Sequence, residues 1–183
     1  FVETAPFYIM STFIVYYATK ELGFSRTQAL NAVTVATVVT TLLIPLMGAL
    51  SDRIGRKTVY IAGVLMMMAY AFPYFWLLQT RSFSMLILAT VIGLGVIWAP
   101  TTAVLGTMFS EIFKSNVRYT GITLGYQIGA ALAGGTAPLV ATFLLAKFDH
   151  SYVPIALYII FTGLVSLVAI AAVSERSGRQ LDE

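Results

Sequence analysis

The sequence predicts an all-α membrane protein of six transmembrane helices, and three observations carry that expectation. The 183 residues are 58% hydrophobic and only 10% charged, with mean hydropathy +0.86, far from the quarter-charged mix of water-soluble domains. The charges are also clustered. No Asp, Glu, Lys, Arg or His lies between Thr27 and Leu50, Thr58 and Thr80, Ser82 and Ser110, Tyr119 and Ala146, or Ser151 and Ser174. Each run exceeds the roughly 20 residues that a helix needs to cross hydrocarbon. Finally, the cations sort by side. With alternating spans, Arg53, Arg56, Lys57, Lys114, Arg118, Arg176 and Arg179 fall on one face, and Lys20, Arg26, Arg81 and Lys147 on the other. The richer face is expected to be cytoplasmic.

The expected helices are approximately 1–19, 27–50, 58–80, 82–110, 119–147 and 151–174, with 175–183 a cytoplasmic tail. The first span, Thr4 to Thr19, is short. It follows Phe1 with no charged n-region and no small-residue cleavage site, so it reads as a helix cut at its start, not a signal peptide. Six spans place both ends of the chain in the cytoplasm. Tyr16, Tyr17, Phe75, Trp76 and Tyr152 are expected as the aromatic belt at the outer interface.

Polar residues inside the spans must face protein or water, because lipid offers no hydrogen-bond partner. Thr4, Tyr8, Ser11 and Thr12 share a face of the first span, with Tyr16 at its edge. Thr27, Asn31, Thr34, Thr37 and Thr41 share one of the second, Trp98, Thr101 and Thr102 one of the fourth, and Thr120, Thr123 and Gln127 one of the fifth. Each threonine alone is ordinary interhelical glue, or bonds its own backbone. Four coherent polar faces together point to a shared aqueous cavity. Tyr126 and Gln127 lie about 10 to 13 Å in from the cytoplasmic loop at 1.5 Å per residue, near the midplane. The third span has no Ser, Thr, Asn or Gln between Thr58 and Gln79 and is expected to sit against lipid.

Gly121, Gly125 and Gly129, continued by Ala133 and Ala137, form a small-residue stripe expected to pack against another helix. Gly134 and Gly135, outside it, add flexibility or let a backbone or ligand approach. One proline falls in each span; Pro100 and Pro138 lie deepest, where a bend bears on gating.

Several function classes drop out. Without cysteine neither a disulfide framework nor a thiolate metal site is available. The net charge of +3 resides in short loops and not along one stripe, which argues against nucleic acid. His150, the only histidine, is expected as a solvated loop residue beside Asp149, and Met66, Met67 and Met68 as contacts to lipid or a neighbouring helix. No phosphate loop, carboxylate pair or metal cluster is visible, so neither an enzyme nor a cofactor is expected.

The stretch Gly48 to Tyr60, GALSDRIGRKTVY, concentrates charge in a tight cytoplasmic turn. Gly55 supplies backbone freedom, Thr58 can cap the next helix, and the cations satisfy the positive-inside bias. Orientation does not need Asp52. Gly48, Leu50, Asp52, Arg53, Gly55, Arg56 and Lys57 resemble the inter-helix motif of the major facilitator superfamily, with Ser51 where Ala is common. That motif follows the second helix of either six-helix half, as here. Met108 to Leu139, MFSEIFKSNVRYTGITLGYQIGAALAGGTAPL, looks like the segment joining the tenth and eleventh helices in the metabolite:proton symporter branch, which includes shikimate, α-ketoglutarate and proline/betaine carriers. The resemblance covers the whole chain as the C-terminal half of a twelve-helix fold.

The resemblance implies two inverted three-helix repeats, with the first, second, fourth and fifth helices lining the cavity. It implies a cytoplasmic gate network of Asp52, Arg53, Arg56, Glu111 and Arg118, present in one conformation of an alternating-access cycle. Tyr8, Thr12, Asn31, Thr34, Trp98, Thr101, Tyr126 and Gln127 are expected to line the substrate cavity. The expected partners are a small polar metabolite, an organic acid by the branch resemblance, together with protons, the lipid bilayer of a bacterial inner membrane, and an N-terminal six-helix half. Proton coupling should need an intramembrane acid or histidine. Glu3, placed close to the cytoplasmic edge, is the nearest, so the coupling group is expected in the other half. A facilitator or drug exporter on the same fold, and a self-contained six-helix interaction subunit or channel, are the alternatives.

Overall fold

The computed structural model describes residues 2–112 and 118–172, with side chains over 2–108 and 123–172. Among these, six helical rods are present: α1 over 4–20, α2 over Arg26–Ile54, α3 over Arg56–Gln79, α4 over 83–112, α5 over 118–147 and α6 over Val153–Ala172. Five of them contain stretches long and apolar enough to cross a membrane, and α1 is shorter.

Three rods are interrupted by π turns, at Ile9–Phe13 in α1, Val91–Ile97 in α4 and Ala130–Gly135 in α5. In α4 and α5 the cause is legible. Pro100 and Pro138 lack the N–H that would bond the carbonyl four residues back, and their rings crowd that carbonyl, so the preceding turn widens. Gly93, Gly95, Gly134 and Gly135 sit in those widened turns.

The charged stretch is less of a loop than the sequence implied. α2 continues through Asp52 to Ile54, and α3 starts at Arg56. Gly55 alone breaks the helix, at φ 94°, a conformation that costs glycine little and other residues much. Thr58 therefore lies inside α3, and no side chain caps that helix. At the other end of α2, Ser25 and Gln28 form a reciprocal capping box.

The third helix also differs from expectation. Far from lying only against lipid, α3 buries Val64, Met67, Ala71, Tyr74, Phe75 and Leu78 and packs on α4 and α6. Its lack of polar side chains suits a dry core as well as it suits lipid. Leu65, Met66 and Trp76 form its exposed face. The outer aromatics divide likewise. Tyr16 and Trp76 are exposed, but Tyr17 and Phe75 are buried; Phe75 stacks on Tyr152 at 5.3 Å, and Tyr17 accepts a 2.8 Å hydrogen bond from Gln79.

Close helix contacts fall at glycines. A Cβ at Gly63 would stand 2.8 Å from the Thr101 methyl and 3.3 Å from the Thr101 nitrogen, so α3 and α4 meet almost backbone to backbone. The predicted stripe does not behave this way. Gly125 and Gly129 have open space where a Cβ would project, and the Gly121 side lies outside the described side chains. The stripe's continuation, Ala133 and Ala137, is buried together with Gly134, because the bundle contacts α5 at its π turn and beyond. Gly63→Val is expected to destabilise the full-length protein by about 1 to 3 kcal/mol through overpacking, read as a lower unfolding midpoint in detergent. An unchanged midpoint would mean that α3 and α4 are further apart than described.

Candidate functional site

Glu3 organises the centre of the molecule. Its backbone carbonyl accepts a hydrogen bond from Trp98 Nε1 at 2.6 Å. Its carboxylate oxygens accept from Thr102 Oγ1 and from the Tyr126 hydroxyl, both at 3.4 Å. Trp98 stands near the middle of α4, about 20 Å from either end at 1.5 Å per residue. Glu3 is thus level with the middle of α4 and not with its end, and it is the one buried acid among the described residues.

Around it α1, α4 and α5 converge. Phe7 lies against Trp98 with ring centroids 4.8 Å apart. The Tyr8 ring covers Gly134, where a Cβ would come within 2.9 Å of it; the residue there must be glycine for α1 and α5 to meet. Tyr8 and Tyr126 are each 38% exposed, so the cluster opens on one side.

The sequence-predicted cavity residues separate into groups. Tyr8, Trp98 and Tyr126 come together around Glu3. Gln127, Asn31 and Thr34 are exposed, and Thr34 donates to the Leu30 carbonyl of its own helix. Thr12 is exposed and lines, with Ser11, Tyr16, Thr19 and Arg26, an open pocket of about 670 Å³ between α1 and α2. That pocket lies at the end of the bundle away from Asp52. Thr101 is a correction: it is buried, donates to the Trp98 carbonyl at 2.7 Å and abuts Gly63, so it packs helices and lines no cavity.

The α2–α4 contact rests on a residue outside every predicted group. The hydroxyl of Thr40 is shared between the carbonyl of Ala36 on its own helix and that of Leu94 in the α4 π turn. Sequence periodicity could not single it out among the neighbouring threonines. Glu3 carried a visible signal, being the sole acid in an apolar run from Phe1 to Thr19, but its depth was not visible.

Of the gate residues, Asp52 and Arg56 form an ion pair at 3.5 Å across Gly55, and Arg53 is exposed. The side chains of Glu111 and Arg118 lie outside the described residues. His150 is not simply solvated: its Nδ1 stands 3.0 Å from a Glu21 carboxylate oxygen, joining the end of α1 to the α5–α6 turn.

The family described as Major Facilitator Superfamily matches residues 1–180. The chain belongs to the Major Facilitator Superfamily. Among curated relatives, it is 30% identical to the shikimate transporter of Escherichia coli K12 over 90% of this chain and 37% of the relative. It is 31% identical to the ectoine/proline transporter ProP of Corynebacterium glutamicum over 95% and 34%, and 26% identical to the citrate-proton symporter of Klebsiella pneumoniae over 95% and 39%. The chain thus spans under two fifths of the length of these relatives. They are transporters, not enzymes. No solved structure matches.

In this superfamily chain Asp52 is exposed and Arg56 half-buried, so the worth of the pair to folding is small. Exchanging the charges, Asp52→Arg with Arg56→Asp, is expected to leave expression of the full-length protein unchanged and to alter which side of the membrane labels cavity cysteines. Identical labelling and identical uptake would confine the pair to the surface.

Proposed function

We propose that this chain is the C-terminal six-helix half of a secondary carrier that moves a small polar metabolite, an organic acid, together with protons by alternating access. The observation that carries this reading is the surface of α2. It is strongly apolar, yet only 11% of its most hydrophobic window is buried within the chain, and Asn31, Thr34, Thr37 and Thr41 are exposed along it. Lipid can cover its leucines and the threonines that bond their own backbone, but the amide of Asn31 calls for water or a polar partner. A second bundle enclosing a water-filled path accounts for both faces. Three relatives bear names of substrates of this size, namely shikimate, citrate and ectoine/proline, and one is named a proton symporter.

In this reading the Asp52 turn faces the cytoplasm of a bacterial inner membrane, with both chain ends on that side, as the excess of Lys and Arg there supports. Asp52 and Arg56, joined by Arg53, Glu111 and Arg118, latch the inner rim in the outward-open state and part in the inward-open one. Tyr8, Trp98, Tyr126 and Gln127 meet the substrate with aromatic surface and hydrogen bonds.

Transport is tested with the full-length protein in vesicles. Labelled shikimate, citrate and proline are offered with and without an inward proton gradient, and at least one is expected to accumulate only with the gradient. Equal uptake in both conditions would favour a facilitator on the same fold, and no counterflow of any of them would remove the carboxylated-metabolite assignment.

A further inference from the structure

Glu3 holds a position that substrate contact does not require. Among the described residues the side chains facing it from the packed elements are neutral: Thr102 and Trp98 on α4, Tyr126 on α5, Tyr8 on its own helix, and Tyr60 on α3 within electrostatic reach; the positive amino group at the start of the chain also acts on it. From α6, Ser166 Oγ accepts from the Val2 N–H at 3.0 Å and so pins the backbone beside it. Among the described residues no Lys, Arg or His stands within ion-pair distance of the carboxylate. An ionised acid in mid-membrane calls for a counter-charge or strong donors. Two hydroxyls at 3.4 Å are long for O–H···O bonds, and taking up a proton removes the charge that they serve weakly.

Two further features agree. Glu3 is buried, but the half-exposed Tyr8 and Tyr126 beside it place the cluster next to the open face. And α1, α4 and α5, the three helices that meet at Glu3, are the ones carrying π turns among the described residues. Such turns recur at functional sites and permit bending without unfolding.

We propose, building on the transport reading, that Glu3 is a proton-binding residue of the carrier. A proton from cavity water forms an O–H bond on one carboxylate oxygen, and the side chain passes from −1 to neutral; the reverse step returns the proton to water on the other side of the cycle. Charged, the carboxylate accepts from Thr102 and Tyr126 together and ties α1 to α4 and α5. Protonated, one of its oxygens becomes a donor, one tie is lost, and the three helices are free to re-pack at their π turns.

The full-length protein in lipid tests this in two ways. Infrared difference spectra over a pH titration are expected to show a protonated-carboxyl band that Glu3→Gln lacks, whether or not a substrate is known. In vesicles, with labelled shikimate, citrate, proline and glycine betaine as probes, Glu3→Gln is expected to abolish gradient-driven accumulation and substrate-linked proton movement while exchange of labelled for unlabelled substrate continues. Thr102→Val, which removes one donor and no charge, should displace the pH midpoint of uptake and of the infrared band. Glu3→Gln keeping both the band and accumulation would overturn the assignment, as would a variant that loses exchange of betaine and proline alone, which would make Glu3 a contact for the substrate's ammonium group. Should the parent protein transport none of the probes, the transport reading fails for them and the infrared band alone decides on Glu3.

Discussion

A carboxylate held near the middle of a bilayer constrains everything packed around it. Glu3 needs polar neighbours, and polar neighbours in hydrocarbon must in turn be enclosed by protein or open to water. The bundle supplies them from two other helices, Thr102 from α4 and Tyr126 from α5, and fixes the backbone with the indole of Trp98. For the helices to converge there, their backbones must come close, which is why Tyr8 lies over Gly134 and not over a larger residue. The polar centre and the small-residue contacts are two sides of one requirement.

Lipid as a solvent explains the rest of the hydrogen bonding. Hydroxyls in the spans rarely wait for a partner on another helix: Ser11, Thr34, Thr37, Thr41, Thr90 and Thr142 all donate to carbonyls four residues back on their own helix. Each such group is satisfied before any tertiary contact forms, so a polar row can face either a neighbour or water at little cost. Thr40 is informative because its hydroxyl is shared with a carbonyl in the α4 π turn. A widened turn offers a carbonyl outside the regular ladder, and the adjacent helix uses it. The bend before Pro100 thereby becomes an attachment point.

Fold class, helix number and the acid–base turn were legible because they depend on composition and local spacing. Charge-free runs mark spans whatever the tertiary structure, and a glycine between Ile54 and Arg56 marks a break. Which face of a helix is covered depends on its neighbours, and there local pattern misled. The stripe of Gly125, Gly129, Ala133 and Ala137 has the spacing of a packing motif, yet its two described glycines face open space and only its alanines are buried, since α5 contacts the bundle chiefly at its π turn and beyond. A π turn adds residues per turn and shifts the phase of a helical wheel, so a face drawn from 121 to 137 cannot be continuous. The apolar α3 was ambiguous for a different reason, because a dry core and an acyl chain select the same side chains. Thr101 was grouped with cavity residues by its neighbour Trp98, although its methyl fills the notch at Gly63.

The distribution of irregular turns divides the bundle mechanically. α2, α3 and α6 run without π turns among the described residues, and α3 packs on both α4 and α6 through a dense aliphatic and aromatic core. α3 and α6 thus form one regular packed pair, while α2 adjoins α3 at the Gly55 turn and packs chiefly on α4. α1, α4 and α5 each contain a widened turn, and all three reach the same carboxylate. The carboxylate of Glu3 thus lies where the irregular helices meet, while the Asp52–Arg56 pair sits at the junction of two regular ones. On the transport reading proposed above, a proton at the centre would act on local bends and the ion pair at the rim on the placement of whole rods, so that the two kinds of element would occupy different helices.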